Sequence, residues 1–329
     1  MISRILARTG RAVVTGGAGF IGSTLCDRLL IDDWTVTAID AFEGFYARET
    51  KLRNLASALE SNRFTLVEVD TRAGEALRDA ILAAKPDVVF DLAARAGVRP
   101  SIADPASYVA TNVIGFQHTL SATAAAGARL VFASSSSVYG DDDRRPFTED
   151  QARGRPLSPY GATKISGEAL AFAHHHSTGL SVSIARLFTV YGPRQRPDLA
   201  IHTFARHILS GAQVDLFDEG RGVRDYTYVD DAVEALIRMA AVAEPYLVAN
   251  VGSEHPIRTT AVVDEIERAL GVRAHRHPLP AQQGDVPATH ADISRARQVL
   301  GWQPRMAFSN GIDRFCAWLR QEVAQQKSD

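Results

Sequence analysis

The sequence predicts an α/β fold: a doubly wound parallel sheet followed by a smaller C-terminal α/β domain. Three observations carry this. Short, nearly all-apolar β-branched runs alternate with helix-length segments through the first half of the chain. A glycine-rich turn joins the first such run to the first helix. Beyond about Gly192 the alternation gives way to prolines and scattered short strands.

In order, Arg11–Thr15, Thr35–Asp40, Phe64–Glu68, Val88–Leu92, Arg129–Ser134 and Val182–Leu187 read as strands. Their continuous apolar character suits strands covered on both faces, as in a parallel sheet. Helix-length segments lie between them at Phe20–Ile31, Arg48–Glu60, Ala73–Ala84, Tyr108–Ala126 and Tyr160–Ser177. Strands and helices alternating in this way wind with right-handed crossovers. Later, Val214–Phe217, Asp225–Val229 and Leu247–Val251 are shorter strand candidates. Ile312, Phe315, Cys316, Leu319 and Val323 keep helical spacing and predict a closing amphipathic helix. The expected division is a main domain over 1–191 and a mostly separate smaller one over 192–329. Segments near 230–251 are candidates to return to the main sheet.

At 329 residues the chain exceeds the usual single core, which fits a large domain with an annex. A net charge of −2 argues against a broad basic face for nucleic acid. No apolar run approaches the ~20 residues that span a bilayer, and the arginine-bearing N-terminus lacks the apolar stretch of a signal peptide. The two cysteines, Cys26 and Cys316, fall on apolar helical faces without metal-ligand spacing. A cytoplasmic protein with no membrane partner is expected.

The turn itself reads Thr15-Gly-Gly-Ala-Gly-Phe-Ile-Gly22. Gly16, Gly19 and Gly22 let the backbone bend sharply and approach a pyrophosphate. The helix opening at Phe20 and Ile21 then offers its N–H groups and positive dipole end. Between a strand and a helix this is the Rossmann-type dinucleotide fingerprint. Asp40 ends the second strand, eighteen residues after Gly22, where a carboxylate takes the adenosine ribose hydroxyls and repels a 2′-phosphate. That favours NAD, with Arg48 and Lys51 close enough to offset the repulsion. Asp70 stands after the third strand and reads either as an adenine contact or as a helix-capping carboxylate.

Tyr160 and Lys164 in Ser-Pro-Tyr-Gly-Ala-Thr-Lys share one helix face. A free phenol ionises near pH ~10, and an ammonium one turn away stabilises the phenolate so that it can serve as a base. Lys164 also reaches toward a nicotinamide ribose. Upstream, Ser134-Ser135-Ser136-Ser137 closes the fifth strand, at the edge where ligands bind in such sheets. A serine hydroxyl there can share the proton of a reacting alcohol. Hydride chemistry at a carbinol carbon is the expectation. His174-His175-His176 carries no metal reading, because consecutive helical residues cannot face one ion. The acidic run Asp141–Asp143 reads as a solvated loop.

With these parts in place, the chain resembles the extended short-chain dehydrogenase/reductase family of nucleotide-sugar enzymes over nearly its whole length. The matching residues are the glycine turn, Leu92-Ala93-Ala94, Asn112, the serine strand end, and Tyr160 with Lys164. The resemblance implies cofactor contacts at Leu92, Ala93, Ala94 and Asn112, with Ser135 assisting the base. Within the family it is most similar to UDP-glucuronate 4-epimerases, through Ala94-Arg-Ala-Gly-Val-Arg99, Thr189-Val-Tyr-Gly-Pro193, Arg196-Pro-Asp, Arg224-Asp-Tyr-Thr-Tyr-Val-Asp-Asp231 and Gly284-Asp-Val-Pro-Ala-Thr-His-Ala-Asp292.

That likeness implies that Arg99 and Arg224 address the UDP phosphates and Asp285 the uridine ribose. Ser136, Ser137 and Thr189 would receive the sugar carboxylate, with Arg196 at the cleft mouth. Two positions depart from the pattern. Gln282 stands where UDP-glucose epimerases often carry arginine, and Arg194-Gln195 where many glucuronate epimerases carry Trp-Gly. Related 4,6-dehydratases carry an Asp-Glu pair where this chain has Ser136 and Ser137, and related decarboxylases carry glutamate at the position of Ser137. Relatives pair as dimers, so a homodimer is expected. The expected reaction is NAD-dependent 4-epimerisation of UDP-glucuronic acid to UDP-galacturonic acid. The alternatives are UDP-glucose/UDP-galactose epimerisation, a simple nucleotide-sugar dehydrogenase and a non-catalytic nucleotide-binding regulator.

Overall fold

The computed structural model describes residues 9–281 and 286–325. Its centre is a seven-stranded, all-parallel sheet. The strands are β1 (Arg11–Thr15), β2 (Thr35–Asp40), β3 (Phe64–Glu68), β4 (Val88–Asp91), β5 (Arg129–Ser135) and β6 (Val182–Leu187), joined later by β10 (Tyr246–Val251). In space they run β10-β6-β5-β4-β1-β2-β3. The order reverses between β1 and β4, so the carboxyl ends of these two strands open a crevice. The smaller part is built on β7 (Thr189–Tyr191), β8 (Gln213–Phe217), β9 (Val223–Tyr228), β11 (Pro256–Arg258) and β12 (His275–Leu279), in a three-stranded sheet β11-β9-β7 and a parallel pair β12-β8.

Side chains of a strand alternate between faces, and both faces of this sheet are covered. Val14, Phe90, Val131 and Ala133 look toward α1 (Phe20–Ile31), whose Leu25 and Leu29 are fully buried. Each such leucine contributes about 1.5–3 kcal/mol by leaving water. On the opposite face Val13, Val89, Leu130 and Phe132 pack with Leu77 and Ile81 of α2 (Gly74–Ala84) and Phe116 and Leu120 of α3 (Phe116–Ala125). Double coverage is why these strands read as continuous apolar runs.

Several elements differ from the sequence reading. The segment 48–60 is two helices, Arg48–Asn54 and Ala56–Leu59, broken at Leu55, whose ψ of 0° interrupts the turn. The segment 108–126 is composite: Pro105–Val109, a π-helical turn Ala110–Gly115, then α3. Strand β10, in the chain's final third, hydrogen-bonds along β6 from Tyr246↔Val182 to Val251↔Leu187. Strands β11 and β12 were not anticipated, since each is short and neither is strongly apolar. No helix among the described residues is long and apolar enough to cross a membrane.

Candidate active site

The carboxyl ends of the parallel strands line a cleft of about 530 Å³. At its floor the chain leaves β1 and turns. Gly16 N–H donates to Ile39 O at 2.7 Å and Gly19 N–H to Gly16 O at 3.0 Å. Gly16 has φ +66°, a left-handed backbone that disfavours a side chain. No side chain caps α1, which leaves the N–H groups of its first turn for a ligand. Gly16, Gly19, Phe20, Ile21 and Gly22 all border the cleft. A cradle that any Cβ would fill, open to a helix N-terminus, fits a dinucleotide pyrophosphate.

Asp40 borders it too, at the end of β2. Its carboxylate accepts from Ala18 N at 3.1 Å, from Phe42 N at 2.8 Å and from Lys51 Nζ at 3.2 Å. Lys51 is buried, so this cation offsets the acid directly. Arg48 is engaged elsewhere, in a two-bond pair with Glu68 at 2.7 and 2.6 Å. Asp70 lines the cleft and pairs with Arg72 at 2.5 Å; that bond holds its carboxyl below the usual range. Leu92, Ala93 and Ala94 form the opposite wall.

Ser158 accepts from Gly161 N–H and Pro159 occupies the first turn of α4 (Pro159–Thr178), so this helix starts where its sequence directs. Tyr160 N–H donates to Ser101 Oγ at 3.1 Å, and its ring meets Tyr108 edge-on at 6.3 Å between centroids. Lys164 is buried, donates to Ala133 O at 2.7 Å, and lies 6.0 Å from the Tyr160 ring. Asp91 lies beneath them, bonded to Thr15 Oγ1 at 2.8 Å. Burial lifts its carboxyl to about 6, against the Thr15 bond and the Lys164 charge, which lower it.

Ser135 ends β5, and its Oγ accepts from Ser137 N–H at 3.2 Å, capping a single 3₁₀ turn over Ser136–Tyr139. The Ser135 hydroxyl also donates to Ser137 Oγ at 3.2 Å. Ser135, Ser136, Ser137, Tyr160, Lys164 and Thr189 open into the same cleft as the glycine turn. So do Arg196, which pairs with Asp198 at 2.8 Å over the Phe45 ring, and Arg224, which donates to Val223 O.

Two expected residues sit differently, and a third is outside the described residues. Asn112 is buried behind the wall, within the π-helical turn. Its amide donates to Arg95 O and Thr163 Oγ1 and accepts from Arg95 N, so it clamps the loop that continues from Leu92-Ala93-Ala94. Arg99 is exposed and lies over the Phe217 ring at 5.0 Å, away from the cleft lining. Asp285 falls outside the described residues, although Val286 and Thr289, just beyond it, line the cleft.

Sequence reasoning missed the rim. Glu43 bonds to Arg95 at 3.1 Å and stands 3.8 Å from Arg72, joining the loops after β2, β3 and β4 across the opening. The available signal was position alone, since ligand-facing residues follow the ends of parallel strands.

Residues 13–315 match the family described as GDP-mannose 4,6 dehydratase. A UDP-glucuronate 4-epimerase of Thermodesulfobacterium geofontis is 36% identical, over 97% of this chain and 99% of that protein. A probable UDP-glucuronate 4-epimerase of Rhizobium meliloti is 35% identical, over 94% and 97%. The solved structure of UDP-glucuronic acid 4-epimerase from Bacillus cereus in complex with UDP-glucuronic acid and NAD superposes with a TM-score of 0.88 at 34% identity, over 94% of this chain and 99% of that one. A Thermotoga maritima UDP-glucose 4-epimerase with UDP-glucose reaches 0.87 at 29% identity, over 95% and 99%. With its strand-end cleft, glycine turn and Tyr160–Lys164 helix, the chain belongs to this family, among the NAD-dependent epimerases of the extended short-chain dehydrogenase/reductase type.

Proposed function

We propose that this chain interconverts UDP-glucuronic acid and UDP-galacturonic acid by inverting C4, with NAD as its resident cofactor. One observation carries the reading: a tyrosine–lysine helix face, a serine turn and a dinucleotide cradle open into one cleft. Relatives of the same length act on this sugar. The serine turn also lacks the carboxylates that dehydration or decarboxylation would need, since Ser136 and Ser137 occupy those places.

Gly16, Gly19 and Gly22 with the α1 N-terminus hold the pyrophosphate, and Asp40 the adenosine ribose. When bound, the cofactor supplies an acceptor for the C4 hydride and later a donor to the opposite face. Tyr160, with Lys164 beside it, takes the C4 hydroxyl proton, and Ser135 bonds to the reacting oxygen. Arg224, in the cleft lining, addresses the diphosphate, which stays fixed while the 4-keto sugar turns about its link to it. Tyr160 then returns the proton as C4 closes inverted. Tight anchoring of UDP with looser contacts to the ring suits a substrate that must rotate.

A 4-keto uronic acid is a β-keto acid and loses CO₂ when its carboxylate aligns with the carbonyl. Ser136, Ser137 and Thr189 are assigned to hold the carboxylate out of that alignment. In Ser136→Ala and Thr189→Val enzymes, incubated with UDP-glucuronate and followed by mass-resolved chromatography, the UDP-pentose fraction should rise or the affinity fall. Unchanged product ratio and affinity in both variants would reject the role. The same chromatography with UDP-glucose tests the rival epimerisation.

A second copy of the chain is the proposed partner. Val109, Ile114 and Phe172 are exposed on neighbouring helices, where a dimer would cover them. Sedimentation at micromolar concentration should return twice the chain mass; a monomer mass would refute it. A cytoplasmic setting is part of the proposal and is supported by two buried cysteines that are unpaired.

A further inference from the structure

We infer that the buried Glu168–Arg186 pair is a positioning element that fixes the serine turn against the tyrosine helix. Glu168 lies four residues after Lys164 and eight after Tyr160, on the face of α4 that carries both. Its carboxylate accepts from Arg186 Nε at 3.0 Å and Nη2 at 2.7 Å, a two-bond pair with both side chains largely buried. The same carboxylate accepts from Ser134 Oγ at 2.5 Å. Ser134 immediately precedes Ser135, so one end of the pair holds the strand residue next to the serine that caps the turn.

Arg186 holds the other end. Its Nη1 donates to Tyr139 OH at 3.3 Å and to Glu149 O at 2.6 Å, and the guanidinium lies over the Tyr139 ring. Tyr139 closes the 3₁₀ turn that begins at Ser136. Tyr139 OH donates in turn to Asn250 Oδ1, and the Asn250 amide donates to Phe147 O and Asp292 O. The serine turn is therefore gripped before and after its three cleft-facing hydroxyls. Both grips lead to a helix position in register with Tyr160.

A buried ion pair is weak evidence for stability, because desolvation opposes the attraction. Here the pair joins α4, β5 and β6 at the one place where a hydroxyl and a phenol must address the same oxygen. Misplacing such groups by about 1 Å costs on the order of 10²-fold in rate.

The test is the double variant Glu168→Met/Arg186→Met, since exchanging a buried pair for apolar residues of similar volume tends to preserve stability. Melting temperature, NAD affinity, kcat, KM and the UDP-pentose fraction are measured on the purified full chain. Melting temperature and NAD affinity should stay near parental values, while kcat falls by about tenfold to a hundredfold and the UDP-pentose fraction rises. A folded, NAD-binding double variant with parental kcat and product ratio overturns the assignment, and so does a parallel loss of NAD affinity. Should the double variant not fold, Ser134→Ala carries the test by deleting only the hydroxyl link; a lower kcat with more UDP-pentose supports the role, and parental values reject it. The product arm rests on the proposed uronate substrate. If the parental enzyme fails to invert UDP-glucuronate, that reading falls by itself, and kcat on the UDP-sugar it does turn over still decides the positioning role.

Discussion

Tyr160→Phe should lower turnover of UDP-glucuronate by at least ~10²-fold, the contribution of a positioned proton-transfer group. The loss should appear in kcat with NAD affinity retained. The phenolic hydroxyl is the only group removed, and Lys164 keeps its own anchor on Ala133 O, so the lysine has no cause to move. The ring still packs against Tyr108 and the helix still begins at Pro159 on its Ser158 cap. Progress curves on UDP-glucuronate with a parallel NAD titration check this. Near-parental kcat would remove Tyr160 from the chemistry.

The second large effect belongs to the glycine turn. A Cβ on Gly22 would stand 2.2 Å from Gly16 O and 3.0 Å from Gly17 Cα, both backbone atoms that cannot swing aside. Relieving that overlap must push the turn away from α1, and overpacking of this kind costs about 1–3 kcal/mol. Because the displaced atoms are those proposed to cradle the pyrophosphate, Gly22→Ala should weaken NAD binding by about tenfold or more. Gly44→Ala is the matched control, since a Cβ there meets nothing within 4 Å. Equal NAD affinity in the two variants, measured by calorimetry, would show that the turn does not hold the cofactor.

Much of the site was legible because its signals are local. A glycine that must accept a left-handed backbone, a phenol and an ammonium one helical turn apart, and a serine run at a strand end each fit within a few residues. Asp40 was also visible, as the acid that closes the second strand. Its buried pairing with Lys51 was weighed from the sequence only as a possibility, and only the tertiary structure shows that Lys51 turns inward while Arg48 goes to Glu68. Asn112 was flagged through a resemblance, and the structure places it behind the cleft wall as a clamp on Arg95.

By itself, then, the amino-acid order determined which segments form the central sheet, where the cofactor and tyrosine helices begin and most of the residue types that face the cleft. Apolar periodicity, caps and glycine conformations act over one or two turns of chain. Folding decided what depends on which distant segments meet. Examples are the seating of Tyr246–Val251 beside Val182–Leu187, the Glu43–Arg95 bridge across the rim, and the Glu168–Arg186 pair beneath the serine turn. Partners 18 to 64 residues apart carry no local signature. Their pairing is set by strand order and by the burial that forces each charge to find its opposite.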